Sequence, residues 1–172
     1  MAKMSVGVYG VGFVGGATAD VLEQAHKVYR YDAFYSSQRH RQAWNSQKQL
    51  DELATGSDVV FFCLPTPMQS NDEIDYSPMH DSFHKFAHAL DDFGRSKDSV
   101  VGVIRSTAVS GTTDSFAEKY GLRLTFNPEF LREKTAFEDM KNTSRVVIGS
   151  KNRADGNVVE GVYKEIFPNA AY

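Results

Sequence analysis

Cysteine is almost missing from these 172 residues: Cys63 stands alone. An internal disulfide framework and a cysteine-rich metal site are therefore excluded. Neither sign of charge dominates, since 19 basic against 22 acidic side chains leave a net charge of -3. That balance gives no electrostatic footprint for nucleic acid, and no polybasic run faces an anionic membrane. Long apolar runs are lacking too. VVFFCL at 59–64 falls far short of the roughly 20 residues that cross a bilayer as a helix. No repeat, linker or low-complexity tract is present. A chain of this length buries a core without staples, and it reads as one domain over 1–172 in a reducing cytosol.

What is present is an alternation. Short valine-rich runs, SVGVYG (5–10), KVYRYD (27–32), DVVFFCLP (58–65), SVVGVIRS (99–106), LRLTF (122–126) and SRVVIGS (144–150), are separated by amphipathic stretches. The stretches predict helices over 13–25, much of 36–56, 77–94, 111–121 and 152–167. Phe83, Phe86, Ala87 and Leu90 recur at helical spacing, as do Val158, Val162, Tyr163 and Ile166. Apolar runs that do not alternate, joined by helices, predict an α/β fold: a Rossmann-type, doubly wound parallel sheet of about six strands. The expected strand order is 3-2-1-4-5-6.

Ligands in such sheets bind beyond the carboxyl ends of the strands. After the first strand comes GVGFVG: Gly10, Val11, Gly12, Phe13, Val14 and Gly15. The start of the chain, MAKMSVGVYGVGFVGGATAD, superficially resembles a secretion signal, but this glycine spacing explains it better. The pattern follows a strand, opens a helix, and is succeeded by Asp32 at the end of the next strand, as a dinucleotide fingerprint requires. Asp32 would accept the adenosine ribose hydroxyls and repel a 2′-phosphate, which points to NAD rather than NADP. Pro65 and Thr66 follow strand three. Thr107 follows strand four, either as a ligand contact or as a turn residue.

NPEFLREKTAFEDM (127–140) reads as a helix start, with Asn127 as cap and Pro128 in the first turn. Glu129 and Glu133, four apart, would then share one face, with Arg132 in reach of Glu129. They are either a solvated pair or two carboxylates placed to handle protons. His80, His84 and His88 also lie four apart on one helix. Without a carboxylate or cysteine partner evident nearby they read as solvent-facing, so no metal site is expected.

GVGFVG, FFCLPTP, RSTAVSGTT and NPEFLREKTAFEDMKNTSRVVIG, in that order, together resemble the N-terminal NAD-binding domain of the UDP-glucose/GDP-mannose dehydrogenase family. The PEFLRE block is the most specific part. The resemblance implies an NAD-dependent oxidation of a sugar-nucleotide primary alcohol to a carboxylic acid, with two NAD per turnover. It implies that Val11 and Asp32 touch the adenosine half of NAD, and that Thr66 and Thr107 lie along the cofactor towards its reacting end. Glu129 would assist proton handling, and Glu133 would sit by the nicotinamide. Departures from the family pattern are Ser36 and Ser37 where a basic residue is usual (Arg39 is in reach), Arg105 for lysine, Ser110 for proline and Lys134 for glycine.

In the family the nucleophilic cysteine lies in the C-terminal half, with a lysine and an asparagine in the central helices. Cys63, inside an apolar run, reads instead as a small buried hydrophobe. The expectation is half an enzyme: a truncated or stand-alone cofactor domain, inactive alone, complemented by a separate chain carrying the cysteine. The alternatives are an NAD(H)-binding regulatory module, and an interaction protein that has lost its cofactor. A monomer or weak self-association is expected.

Overall fold

The computed structural model describes residues 4–33 and 46–172. Ser36, Ser37 and Arg39, and the first part of the helix expected over 36–56, fall outside them. Among the described residues five parallel strands form the sheet: β1 (Ser5–Tyr9), β2 (Lys27–Tyr31), β3 (Val59–Phe62), β4 (Val101–Ile104) and β5 (Arg123–Phe126). Six helices accompany them among the described residues: α1 (Phe13–Leu22), α2 (Ser46–Gly56), α3 (Ser77–Asp92), α4 (Thr112–Tyr120), α5 (Ala136–Lys141) and α6 (Arg153–Lys164).

Alternate strand residues feed two cores, which is why the runs are apolar on both faces. Val6, Val59, Phe61, Val101 and Val103 pack under α1, α5 and α6. Tyr9, Val60, Phe62 and Ile104 pack under α2, α3 and α4, where Phe83 and Phe86 crowd the Phe62 ring at 4.4 and 5.4 Å. The predicted faces of α3 and α6 are the ones buried: Phe83, Phe86, Ala87 and Leu90 on α3, Val162 and Tyr163 on α6, with Val158 and Ile166 partly covered.

The strand order differs from the expected one. It is β2-β1-β3-β4-β5, so the third strand pairs with β1, Val6 opposite Val59, rather than lying outside β2. This is the other common doubly wound order. The connections leave β1 and β3 in opposite directions, and the crevice opens where they part.

The run expected as a sixth strand, 144–150, forms no ladder. It touches the sheet by one antiparallel bridge, Phe126 with Gly149, while Arg145 bridges Ala171. The helix expected from Asn127 is also absent. Residues 127–132 form neither helix nor strand, and a 3-10 turn at Glu133–Thr135 follows before α5 begins. Asn127 does not cap a helix because its side chain is taken by tertiary partners. Its amide nitrogen donates to the Val147 carbonyl at 2.7 Å, and its oxygen accepts from Arg105 and from Tyr163 Oη. Arg132 pairs with Asp139 at 2.7 Å instead of Glu129.

The amino-terminal rim of the sheet is closely tied. Ser5 and Asp58 exchange bonds across β1 and β3. The Arg95 guanidinium donates to the carbonyls of Ala54 and Ser57, both at 2.6 Å, where α2 ends. Arg123 pairs with the buried Asp155 of α6 and donates to the Asp98 carbonyl.

Candidate functional site

At the carboxyl ends of the strands lies a cleft of about 840 Å³. Its floor is the turn between β1 and α1. Gly10 has φ 91°, and a side chain there would strike the Cys63 carbonyl at 2.4 Å. At Gly15 a Cβ would sit 1.7 Å from the Gly10 carbonyl oxygen, so α1 can lie this close over the turn only without one. Gly12 is different: a Cβ there meets nothing within 4 Å. No protein packing demands glycine at 12, and its missing side chain leaves open space on the cleft floor.

Beside that space α1 begins, with no side chain capping its first amides. Such N–H groups and the positive end of the helix dipole suit a diphosphate. Asp32, one residue past β2, stands at the lip and accepts the Val11 N–H at 2.6 Å. A dinucleotide fits this arrangement: Gly12 leaves clearance, the first α1 amides carry no side-chain cap, and Asp32 places an acid at the lip.

The opposite wall comes from β3, β4 and the segment after β5. Pro65, Thr66, Ser106, Thr107 and Glu129 all line the cleft. The loop after β4 is fixed from two sides. Ser106 Oγ accepts the Leu64 N–H at 2.8 Å, and Tyr76 Oη accepts the Val109 N–H at 3.0 Å. Sequence reasoning passed over both residues; a serine and a tyrosine in loops carry no pattern that marks them as clamps. Glu129 is half-buried, and its Oε2 accepts the Leu131 N–H at 2.5 Å. The two glutamates are not brought together. Without a helix from 127, Glu133 falls in an exposed turn outside the cleft.

Cys63 and His80 also differ from what the sequence predicts. Cys63 is not within a strand. It follows the end of β3, is half-buried and lines the cleft beneath α1. Burial pushes its thiol up to about 11, so it remains protonated near neutrality. His80 is not a solvent-facing residue like its neighbours. Its Nδ1 bonds Tyr120 Oη at 2.8 Å and its ring stacks 4.5 Å from Phe116. His84 is exposed, and the exposed His88 pairs with Asp92 at 2.8 Å. No group of three metal-ligating side chains converges among the described residues.

Among the same residues no helix is long and apolar enough to cross a membrane.

The chain is similar to known proteins throughout this frame. Residues 29–167 match the model of the UDP-glucose/GDP-mannose dehydrogenase family, NAD binding domain. GDP-mannose 6-dehydrogenase of Pseudomonas aeruginosa is 26% identical over 95% of this chain and 44% of its own length. The enzyme of the same name from Pseudomonas putida is 30% identical over 67% of this chain and 28% of its own. A UDP-glucose dehydrogenase from Pyrobaculum islandicum superposes with a TM-score of 0.79 at 22% identity, covering 98% of this chain and 45% of that one. The chain thus spans about half the length of the relatives it matches. It belongs to the UDP-glucose/GDP-mannose dehydrogenase family and represents that family's NAD-binding domain.

Proposed function

We propose that residues 1–172 serve as the cofactor domain of a nucleotide-sugar 6-dehydrogenase, working with a region or separate chain that supplies the cysteine and the sugar-nucleotide site. The observation that carries this reading is the convergence on one cleft of the glycine turn, Asp32, Thr66, Thr107 and Glu129. Bound NAD would accept the hydride of each oxidation step.

The chain's own residues divide the remaining work. The amides of Phe13 and Val14 and the clearance at Gly12 receive the diphosphate. Asp32 orients the adenosine ribose and disfavours a 2′-phosphate. Pro65 and Thr66 lie along the cofactor. Thr107, held by the clamped loop, orients a water beside the reacting carbon. The Glu129 carboxylate takes the proton that leaves as the alcohol is oxidised, because each hydride removed from an alcohol requires a proton to go elsewhere. Glu133, exposed here, joins the nicotinamide end once the cysteine-bearing region covers the turn at 133–135. Cys63 has no nucleophilic role, with its thiol held protonated. The cytosol suits such a reaction, and the isolated domain would be a monomer or self-associate weakly.

The test is a calorimetric titration with NAD, NADH and NADP, followed by an activity assay with GDP-mannose or UDP-glucose after adding a cysteine-bearing C-terminal half of a relative. Saturable NAD binding and NADH production only in the mixture support the reading. No NAD binding at millimolar concentration removes it.

A further inference from the structure

Beside the cofactor cleft lies a second cavity of about 700 Å³, between the 127–132 segment, α5 and residues 142–146. Arg105, the first residue after β4, reaches its wall and is only 5% exposed. A guanidinium offers five N–H donors. Both donors of Arg105 Nη1 go to oxygens, Asn127 Oδ1 and Tyr163 Oη. Nη2 meets only the Met140 sulfur at 3.9 Å, and Nε is buried with no partner.

The open side is therefore the Nε/Nη2 edge, the fork whose spacing matches two oxygens of one carboxylate or phosphate. A buried cation with neither counter-charge nor full hydrogen bonding is costly, and native proteins rarely leave one so.

The charges around it do not cancel. Three guanidinium groups, Arg105, Arg132 and Arg145, line the cavity against two carboxylates, Asp139 and Glu129. Arg132 is consumed by Asp139, which it holds through both Nε and Nη2. Glu129 is turned back onto the Leu131 N–H. Arg145 lies exposed at the mouth, its guanidinium 5.2 Å from the Phe130 ring centroid and in no ion pair among the described residues.

We propose that this cavity is an oxyanion site, in which the open edge of Arg105 takes a phosphate or carboxylate group and Arg145 closes over it. The space exceeds that of a bare ion, so the natural ligand carries its anionic group on a larger body. Arg105 and Glu129 border the cofactor cleft as well, but Gly12, Phe13 and Val14 at the start of α1 line only that cleft, and Arg132 and Arg145 only this cavity.

The test is an NMR titration of the full chain with inorganic phosphate and, separately, acetate, at ionic strength fixed with chloride. Saturable shifts of the Arg105 Nε–H and of the 142–145 amides are expected. The Phe13 and Val14 amides report binding at the cofactor cleft instead. In Arg145→Ala, whose exposed position spares the fold, affinity should fall about tenfold, as loss of one charge-assisted contact implies. Arg105→Lys, which keeps the charge but not the fork, should lose the acetate response. Response by Phe13 and Val14 alone, a linear response matching chloride, or equal affinity in Arg145→Ala would each overturn the proposal. So would an Arg105 Nε–H that moves on Glu129→Gln and ignores both anions, since the edge would then be filled from within.

Discussion

The Val11 N–H and the Asp32 carboxylate meet at 2.6 Å, so the acid just past β2 also braces the glycine turn that follows β1. Changing it removes a charge from the cleft and a brace from its floor. Asp32→Ala should weaken NAD at least about tenfold, the scale of a lost charged hydrogen bond. Asp32→Asn keeps an acceptor for Val11 while losing the charge, so it should narrow the preference for NAD over NADP. Calorimetry with both cofactors measures this, and unchanged affinities in both variants would remove Asp32 from the site.

Gly12 and Gly15 share one motif but answer to different constraints. Gly15→Ala forces a methyl group against the Gly10 carbonyl and should cost at least about 1–3 kcal/mol, with a lowered Tm. Gly12→Ala meets open space at an ordinary φ of −75°. Its Tm should stay near that of the parent while NAD affinity drops. Thermal melts and titrations of the pair separate packing from ligand clearance, and equal loss of stability in both would contradict this division.

Cys63 provides a probe of the cleft from inside. With its thiol pushed up to about 11, only about a thousandth is thiolate at pH 8, against roughly a quarter for a free cysteine. Alkylation by iodoacetamide should be slow at pH 8 and climb steadily towards pH 11. Saturating NAD should slow it further, because Cys63 lines the same cleft. Fast labelling at pH 8, indifferent to NAD, would show that the cleft is open in solution.

His80 links stability to pH. Burial, and then the neighbouring Lys119, lower its proton affinity in the folded chain. The fold therefore favours the neutral ring, and the stability it contributes is full above the unfolded value near 6.5 and is lost as pH falls through the lower folded value. Tm should drop between pH 7 and pH 5, and His80→Gln should flatten that drop. An NMR titration midpoint for His80 at or above 6.5 would contradict the sign.

The strands, the glycine turn and the buried faces of α3 and α6 were legible because they rest on local periodicity and on one motif with its context. Strand order was not. Val59 pairs with Val6, but nothing in either residue says on which side of β1 the third strand must lie. The 127–135 segment misled for another reason. Asn-Pro followed by glutamate is a sound local helix start, yet Arg105 and Tyr163 lie 22 and 36 residues away in sequence and take the Asn127 side chain. Tertiary bonds overrode the local preference, and the pairing of Glu129 with Glu133 went with it. Among 144–150, only Gly149 makes a bridge to β5, which no count of valines would reveal.

The ties of Ser5 to Asp58, of Arg95 to Ala54 and Ser57, and of Arg123 to Asp155 all lie on the rim away from the cleft. The underside is where the domain can be engineered. Consolidating bonds, affinity tags or fluorophores placed there would harden or report on the protein while leaving the ligand-facing rim untouched.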